Sequence, residues 1–220
     1  MDFDLITFDC YGTLIDWEGG IAAAFQAEAA RDGLKLDRQE IIAAYMAEEP
    51  AVESEHYRPY REVLAETAIR VARRLGWQLS QERAGFLPAS LPAWKPFPDT
   101  NAALERLAGR FRLGILSNTD DDLLAATRRH FTVDFDLIVT AQQVQSYKPG
   151  HAHFREAIAR KGDLRQLHAA QSYFHDVVPC RELNIPVAWV NRKGERATAG
   201  GPLPTYEVAN MEGLANLLAG

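Results

Sequence analysis

Asp2-Phe3-Asp4-Leu5-Ile6-Thr7-Phe8-Asp9-Cys10-Tyr11-Gly12-Thr13-Leu14-Ile15-Asp16 decides how this chain folds: a short apolar run stops abruptly in a carboxylate, an aromatic ring and a Gly-Thr turn. Leu5 to Phe8 has the length and composition of a strand buried on both faces. Gly12 supplies the turn that ends it. Asp9 is therefore expected at the carboxyl end of a strand, the edge at which open α/β sheets bind ligands.

The segment after the turn reads as helical. Trp17 to Ala30 carries Ile21, Ala24, Phe25 and Glu28 at helical spacing and stops at Asp32-Gly33. Asp37-Arg38-Gln39-Glu40 has capping-box spacing and opens a second helix, with Pro50 expected to end it. A third helix is expected from about Pro59 to Leu75, with Gly76 as its terminator. No strand pattern occurs between Leu14 and Trp94, and three helices in succession are too many for one crossover. They read as an all-helical insertion placed directly after the first strand. The stretch from Leu87 to Pro98 holds four prolines in twelve residues, which predicts a semi-rigid linker returning from that insertion. Residues 1–16 and 93–220 are then the α/β core, and 17–92 the helical insertion.

From Asp99 onward the pattern is regular: helix Asp99 to Gly109, strand Leu113 to Leu116, helix Asp120 to His130, strand Asp136 to Thr140, helix Pro149 to Lys161, strand Leu167 to Ser172, helix Val177 to Asn184 and strand Val187 to Val190. Such alternation predicts a Rossmann-like parallel sheet with right-handed crossovers. Tyr206 to Val208 adds an edge strand and Asn210 to Ala219 a closing helix. Arg192 to Pro204, rich in Gly and charge, reads as a mobile surface loop.

Composition narrows the partners. At 220 residues, 47% hydrophobic and 25% charged, the chain has an ordinary globular make-up, and its net charge of −6 gives no electrostatic footprint for nucleic acid. Cys10 and Cys180 form no disulfide framework. The first residues are acidic where a secretory leader would be basic, and no apolar stretch approaches ~18 residues, so the expected location is cytoplasmic with no membrane partner.

Three polar clusters fall at the same sheet edge as Asp9. Ser117-Asn118-Thr119 follows one strand, Ser146-Tyr147-Lys148-Pro149 precedes the helix after the next, and Ser172-Tyr173-Phe174-His175-Asp176 follows the fourth. Neighbouring strands lie only about 4.8 Å apart, so Asp9, Ser117, Lys148 and Asp176 should converge. A buried carboxylate kept ionised by a fixed lysine is a usable nucleophile. The Thr13 and Ser117 hydroxyls can orient Asp9, the Asn118 amide can hold an anionic substrate group, and Asp176 can position water.

Phe8-Asp9-Cys10-Tyr11-Gly12-Thr13-Leu14, Leu116-Ser117-Asn118, Lys148-Pro149 and Ser172-Tyr173-Phe174-His175-Asp176 resemble the four signature motifs of the haloacid dehalogenase (HAD) superfamily, in order and on the expected strand ends. The helical insertion is similar to that superfamily's cap domain. The resemblance implies Asp9 as nucleophile, an aspartyl ester intermediate, a charge-neutralising Lys148, and substrate selection by the cap.

Two positions depart from the phosphatase branch of that superfamily. Where phosphatases carry a second aspartate as acid/base, this chain has Tyr11, and a halide needs no proton to leave. Where they carry the first of two metal-binding acids in motif four, it has Ser172, so the oxygen donors for Mg²⁺ are too few and no cofactor or metal is expected. Tyr11 and Ser172, both expected to face substrate, resemble the L-2-haloacid dehalogenase branch. The Trp-Arg pair with which that branch grips a substrate carboxylate is absent; Arg58 and Arg61 are the nearest candidates, with Tyr60 as an aromatic wall. The opening Asp-Cys-Tyr-Gly-Thr-Leu-Ile-Asp-Trp also resembles relatives that include an azetidine-2-carboxylate hydrolase.

The expected function is thus a metal-independent hydrolase of a small 2-substituted carboxylic acid, breaking a C–halogen or C–N bond, as monomer or homodimer. A Mg²⁺-dependent phosphatase and a non-catalytic binding module that retains the fold are the alternatives.

Overall fold

A computed structural model of the chain describes residues 3–220; residues 1 and 2, at the head of the expected 1–16 segment, lie outside the described residues. In chain order the elements are β1 Leu5–Phe8, α1 Trp17–Ala30, α2 Arg38–Glu55, α3 Tyr60–Arg74, α4 Phe86–Ser90, α5 Thr100–Ala108, β2 Arg112–Ser117, α6 Asp121–Thr127, β3 Leu137–Thr140, α7 Ala141–Val144, α8 Ala152–Lys161, β4 Gln166–Ala170, α9 Val178–Glu182, β5 Val187–Val190, β6 Tyr206–Val208 and α10 Met211–Ala219. The chain divides into two compact units. One holds residues up to 16, 96–118 and 129–220; the other holds 17–95 and 119–128.

The first unit is a six-stranded parallel sheet of order β3-β2-β1-β4-β5-β6. β1 is central because every one of its four residues is buried, as its unbroken apolar run requires. Successive strands step outward on one side from β1 to β3, then restart on the other side with β4. β1 therefore stands at the point where the winding reverses, and its carboxyl end opens into the crevice such sheets use for ligands. On one face Leu5, Leu116, Val139, Phe154, Val177, Val187 and Trp189 form a continuous core.

The second unit is all helical. Ile21, Phe25, Ile41, Tyr45, Val63, Leu64, Val71, Leu87, Leu91 and Trp94 are buried in it. α2 does not end at Pro50 but runs on to Glu55. The fully buried Val52, just beyond the proline, anchors the last turns, and that packing outweighs one missing backbone donor. The proline-rich stretch is not a linker either. Pro88 and Pro92 sit in the first turns of α4 and of a short 3₁₀ turn, Leu91–Ala93, where a missing N–H costs little. Phe86 meets Phe25 edge-on at 5.1 Å.

Trp94 lies against the backbone of Gly20 in α1. A Cβ at Gly20 would come within 2.3 Å of the Trp94 ring, so Gly20→Ala is expected to destabilise the chain by ~1–3 kcal/mol through overpacking. Urea denaturation measures this, and an unchanged midpoint would contradict the contact.

Residues 119–128, read from the sequence as part of a core crossover, cluster with the helical unit. The reason is a long-range cap. Pro59, at the head of α3, has no side chain that can bond the free N–H groups there, and the buried Asp120 carboxylate accepts from Tyr60 N–H at 2.8 Å and Arg61 N–H at 3.0 Å. The segment 192–204 is fastened near both ends. The Arg192 guanidinium donates to the Thr13 carbonyl at 2.9 Å, pairs with Asp99 and covers the Phe97 ring at 4.0 Å, while Tyr173 O–H donates to the Pro202 carbonyl. No helix among the described residues is long and apolar enough to cross a membrane.

Candidate active site

The turn after β1 is what aims Asp9. Gly12 has φ of 101°, a conformation that side-chain-bearing residues resist. Its N–H donates to the Ile15 carbonyl, and the Leu14 and Ile15 N–H groups return to the Cys10 carbonyl. This tight loop folds Thr13 back onto Asp9: Thr13 Oγ1 donates to Asp9 Oδ2 at 2.9 Å and accepts from the Gln171 N–H beyond β4 at 2.9 Å.

Lys148, which follows β3 and α7 in the chain, reaches the same carboxylate. The Asn118 amide brackets its backbone, accepting from Lys148 N–H at 2.7 Å and donating to the Lys148 carbonyl at 3.0 Å. The Lys148–Pro149 peptide is cis. The lysine side chain, 2% exposed, places its Nζ 2.8 Å from Asp9 Oδ1, 2.7 Å from Asp176 Oδ1 and 3.0 Å from the Leu116 carbonyl. Three donors meet three acceptors, so the ammonium is fully satisfied. Asp176 is delivered by a π-helical turn, Tyr173–Val177, whose first N–H groups are capped by Ser172: its Oγ accepts from His175 N–H at 3.1 Å.

Burial sets the electrostatics and Lys148 decides among the outcomes. Desolvation pushes the Asp9 carboxyl above the usual range, opposed by the Lys148 ammonium and reinforced by the Asp176 charge. Desolvation acts on Asp176 too, but Lys148 and His168 together hold it well below the usual carboxylate value. Lys148 itself loses solvation, yet the two carboxylates overcome this and hold it above an ordinary lysine. One positive charge thus serves two negative ones. His153, whose Nε2–H donates to the Ser117 carbonyl at 3.2 Å, is driven down to about 3 by burial and by Lys148, and stays neutral.

Of the residues expected from the sequence, Asp9, Thr13, Lys148 and Asp176 are brought together by direct hydrogen bonds. Several others take different roles from those expected. Ser117 is buried at the end of β2, but its hydroxyl makes no hydrogen bond and does not orient Asp9. Asn118 holds the lysine loop rather than presenting its amide to an anion. Ser172 caps the Asp176 turn. The Tyr11 backbone pairs with Ile15 across the tight loop, a contact that does not bear on the role expected of its ring. In the helical unit the Tyr60 hydroxyl is buried against Tyr45 and donates to Glu49 at 2.9 Å, and the Arg61 guanidinium is paired with Asp120 and Asp122. Two carboxylates on one guanidinium leave a net negative charge, which makes Arg61 a poor grip for an anionic substrate. Arg58 pairs with Glu55. Among the described residues, no group of three or more His, Cys, Asp or Glu is arranged to hold a metal ion.

The sequence reading missed a buried polar chain behind Asp176. Gln166 Nε2 donates to Thr7 Oγ1 at 2.8 Å, Thr7 Oγ1 lies 2.9 Å from His168 Nδ1, and His168 Nε2 lies 3.0 Å from Asp176 Oδ1. The available signal was Gln166 and His168 alternating with apolar residues in a strand that has no solvent face.

The model of the haloacid dehalogenase-like hydrolases matches residues 3–169. Over 221 aligned residues, 97% of this chain and 96% of its relative, the chain is 25% identical to an (S)-2-haloacid dehalogenase of Pseudomonas putida. A solved L-2-haloacid dehalogenase shares the fold with a TM-score of 0.87 over the full length of both chains at 20% identity. The L-2-haloacid dehalogenase from Xanthobacter autotrophicus, solved with chloropropionic acid covalently bound, shares it with a TM-score of 0.85 over 99% of each chain at 19% identity. Because the matched residues run from β1 into β4, and so carry the whole frame on which Asp9 and Lys148 stand, this chain belongs to the haloacid dehalogenase-like hydrolases.

Proposed function

We propose that this hydrolase acts on a small carboxylic acid bearing a leaving group at C2, in the manner its haloacid-dehalogenase relatives suggest, with Asp9 as nucleophile and no metal. The observation that carries the reading is the position of Lys148 Nζ, within 2.8 Å of Asp9 and 2.7 Å of Asp176. The ammonium between the carboxylates opposes the desolvation that raises Asp9 and so favours its ionised form, and a carboxylate stripped of water is a far better nucleophile than a hydrated one.

In the first step a carboxylate oxygen of Asp9 attacks C2, the new C–O bond forms as the C2–halogen bond breaks, and the halide departs with the electron pair. No proton moves, which is why Tyr11 can stand where an acid would serve an alkoxide leaving group. In the second step water attacks Cγ of the Asp9 ester. Asp176 accepts a proton from that water through Oδ2, its oxygen without a hydrogen-bond partner. The ester C–O bond then breaks, the 2-hydroxy acid leaves after regaining the proton, and Asp9 retains one oxygen from water. Thr13 holds Asp9 in the attacking orientation, and Asn118 fixes the lysine loop.

The test is halide release from L-2-chloropropionate in the presence of a chelator, with azetidine-2-carboxylate as the C–N counterpart. Turnover with chelator present is expected. Failure on both substrates, or turnover of phosphate monoesters that depends on added Mg²⁺, would overturn the reading.

A further inference from the structure

His168 takes no part in the chemistry just described, yet it is fully buried at the centre of the sheet and touches Asp176, the proposed water base, directly. β4 pairs with β1 so that His168 stands opposite Thr7. Thr7 Oγ1 already accepts from Gln166 Nε2, and its own hydroxyl proton has two places to go: His168 Nδ1 at 2.9 Å or the Leu167 carbonyl at 3.5 Å, the limit of a hydrogen bond. The shorter choice makes Nδ1 the acceptor and leaves the proton on Nε2, aimed at Asp176 Oδ1. Phe154 packs at right angles to the imidazole, with ring centroids 5.4 Å apart.

The consequence lies in which oxygen is taken. Lys148 and His168 both donate to Oδ1 of Asp176, and neither donates to Oδ2, which is buried without a hydrogen-bond partner. Lys148 alone could not fix this orientation. Its ammonium gives Asp176 Oδ1 a single bond, about which the carboxylate can still turn, and after Asp9 becomes a neutral ester that ammonium attracts whichever Asp176 oxygen faces it. The imidazole is not shared and does not change when the ester forms. We infer that His168 is a positioning residue for the second half-reaction: through the Gln166–Thr7–His168 chain it locks Asp176 so that Oδ2 faces the attacking water. The inference rests on the reading of Asp9 as a nucleophile that forms an ester.

The experiment is rapid quench of single turnovers with L-2-chloropropionate, followed by mass spectrometry of the intact protein, for wild type, His168→Leu, His168→Gln and His168→Asn. His168→Leu is expected to slow ester hydrolysis by ~10- to 100-fold while ester formation changes little, so that protein carrying the added acyl mass accumulates. The amide N–H of glutamine reaches the position of Nε2 and that of asparagine reaches only Nδ1, so Gln should clear the ester faster than Asn. This contrast carries the test should His168→Leu fail to fold. Equal loss of both steps, or Gln and Asn clearing the ester at the same rate, would make His168 a packing residue and leave the ester mechanism standing. If the wild type forms no ester and releases no halide, the nucleophile reading itself fails and the role of His168 falls with it.

Discussion

Asp9→Asn is expected to abolish turnover, lowering kcat by at least ~10⁴-fold, because an amide cannot displace a leaving group at C2 and no other carboxylate stands at the end of β1. Folding should survive. Asparagine keeps an oxygen for Thr13 Oγ1, and Lys148 retains Asp176 and the Leu116 carbonyl as acceptors. The companion measurement is a quenched turnover in ¹⁸O-water, in which one labelled oxygen should appear in the peptide containing Asp9. Label found only in the product hydroxyl after a single turnover would mean that water attacked C2 directly. Residual halide release in a well-folded Asp9→Asn variant would point the same way.

Lys148→Met should have the second largest effect, and it should act on stability and on chemistry together. Removing the ammonium leaves two desolvated carboxylates facing each other, and breaking a buried pair in this way costs ~3–5 kcal/mol. The sign of the pH dependence is specific. In wild type the depressed Asp176 contributes stability that is present above its unfolded value of 3.8 and is lost as pH falls below it. In the variant Asp176 loses the ammonium that depressed it and joins Asp9, which burial raises already in wild type, so the folded state binds more protons than that of wild type and loses more stability as pH rises. The stability gap between the two proteins should therefore narrow between pH 7.5 and pH 5, measured by urea denaturation. Halide release by the variant should fall ~10²-fold or more at pH 7.5 and recover little on acidification, since the proton that stabilises the fold silences Asp9. A gap that stays constant across this range would show that the two carboxylates are not desolvated by the fold.

The residues that the sequence exposed and those it hid differ for a physical reason. β1 was legible because a parallel strand buried on both faces must be apolar throughout, and Asp9, Lys148 and Asp176 were legible because polar clusters between the strands and the helices that follow them gather at the carboxyl edge of such a sheet. Pro50 and the prolines between 87 and 98 misled because the cost of a proline depends on where in a turn it falls and on what packs beside it, neither of which a local pattern records. Asp120 looked like the start of a core helix, whereas its carboxylate serves α3, sixty residues earlier in the chain. His168 was hidden more completely. One polar residue inside a strand looks the same whether it faces solvent or completes a chain of hydrogen bonds, and its partner Thr7 is separated from it by 161 positions. The role of Ser117 in orienting Asp9 and the substrate-facing roles of Tyr60 and Arg61 were inferred from residue type, and the partners these side chains take are set by tertiary neighbours.

The place of β1 at the centre of the sheet has a cost during synthesis. Its two neighbours, β2 and β4, begin at Arg112 and Gln166, so both edges of Leu5–Phe8 stay unpaired until more than a hundred further residues have left the ribosome. In that interval the chain carries an exposed apolar strand with open hydrogen-bonding edges, the feature most prone to pairing with another molecule. The helical unit contains the stretch that emerges next, and α1 with α2, and α2 with α3, make contacts between neighbours in sequence that are quick to form. The nascent chain thus gains most of a helical body before β4 arrives to close its sheet. Aggregation during expression is accordingly expected to depend on the time spent between Phe8 and Ala170, more than on the final stability of the enzyme.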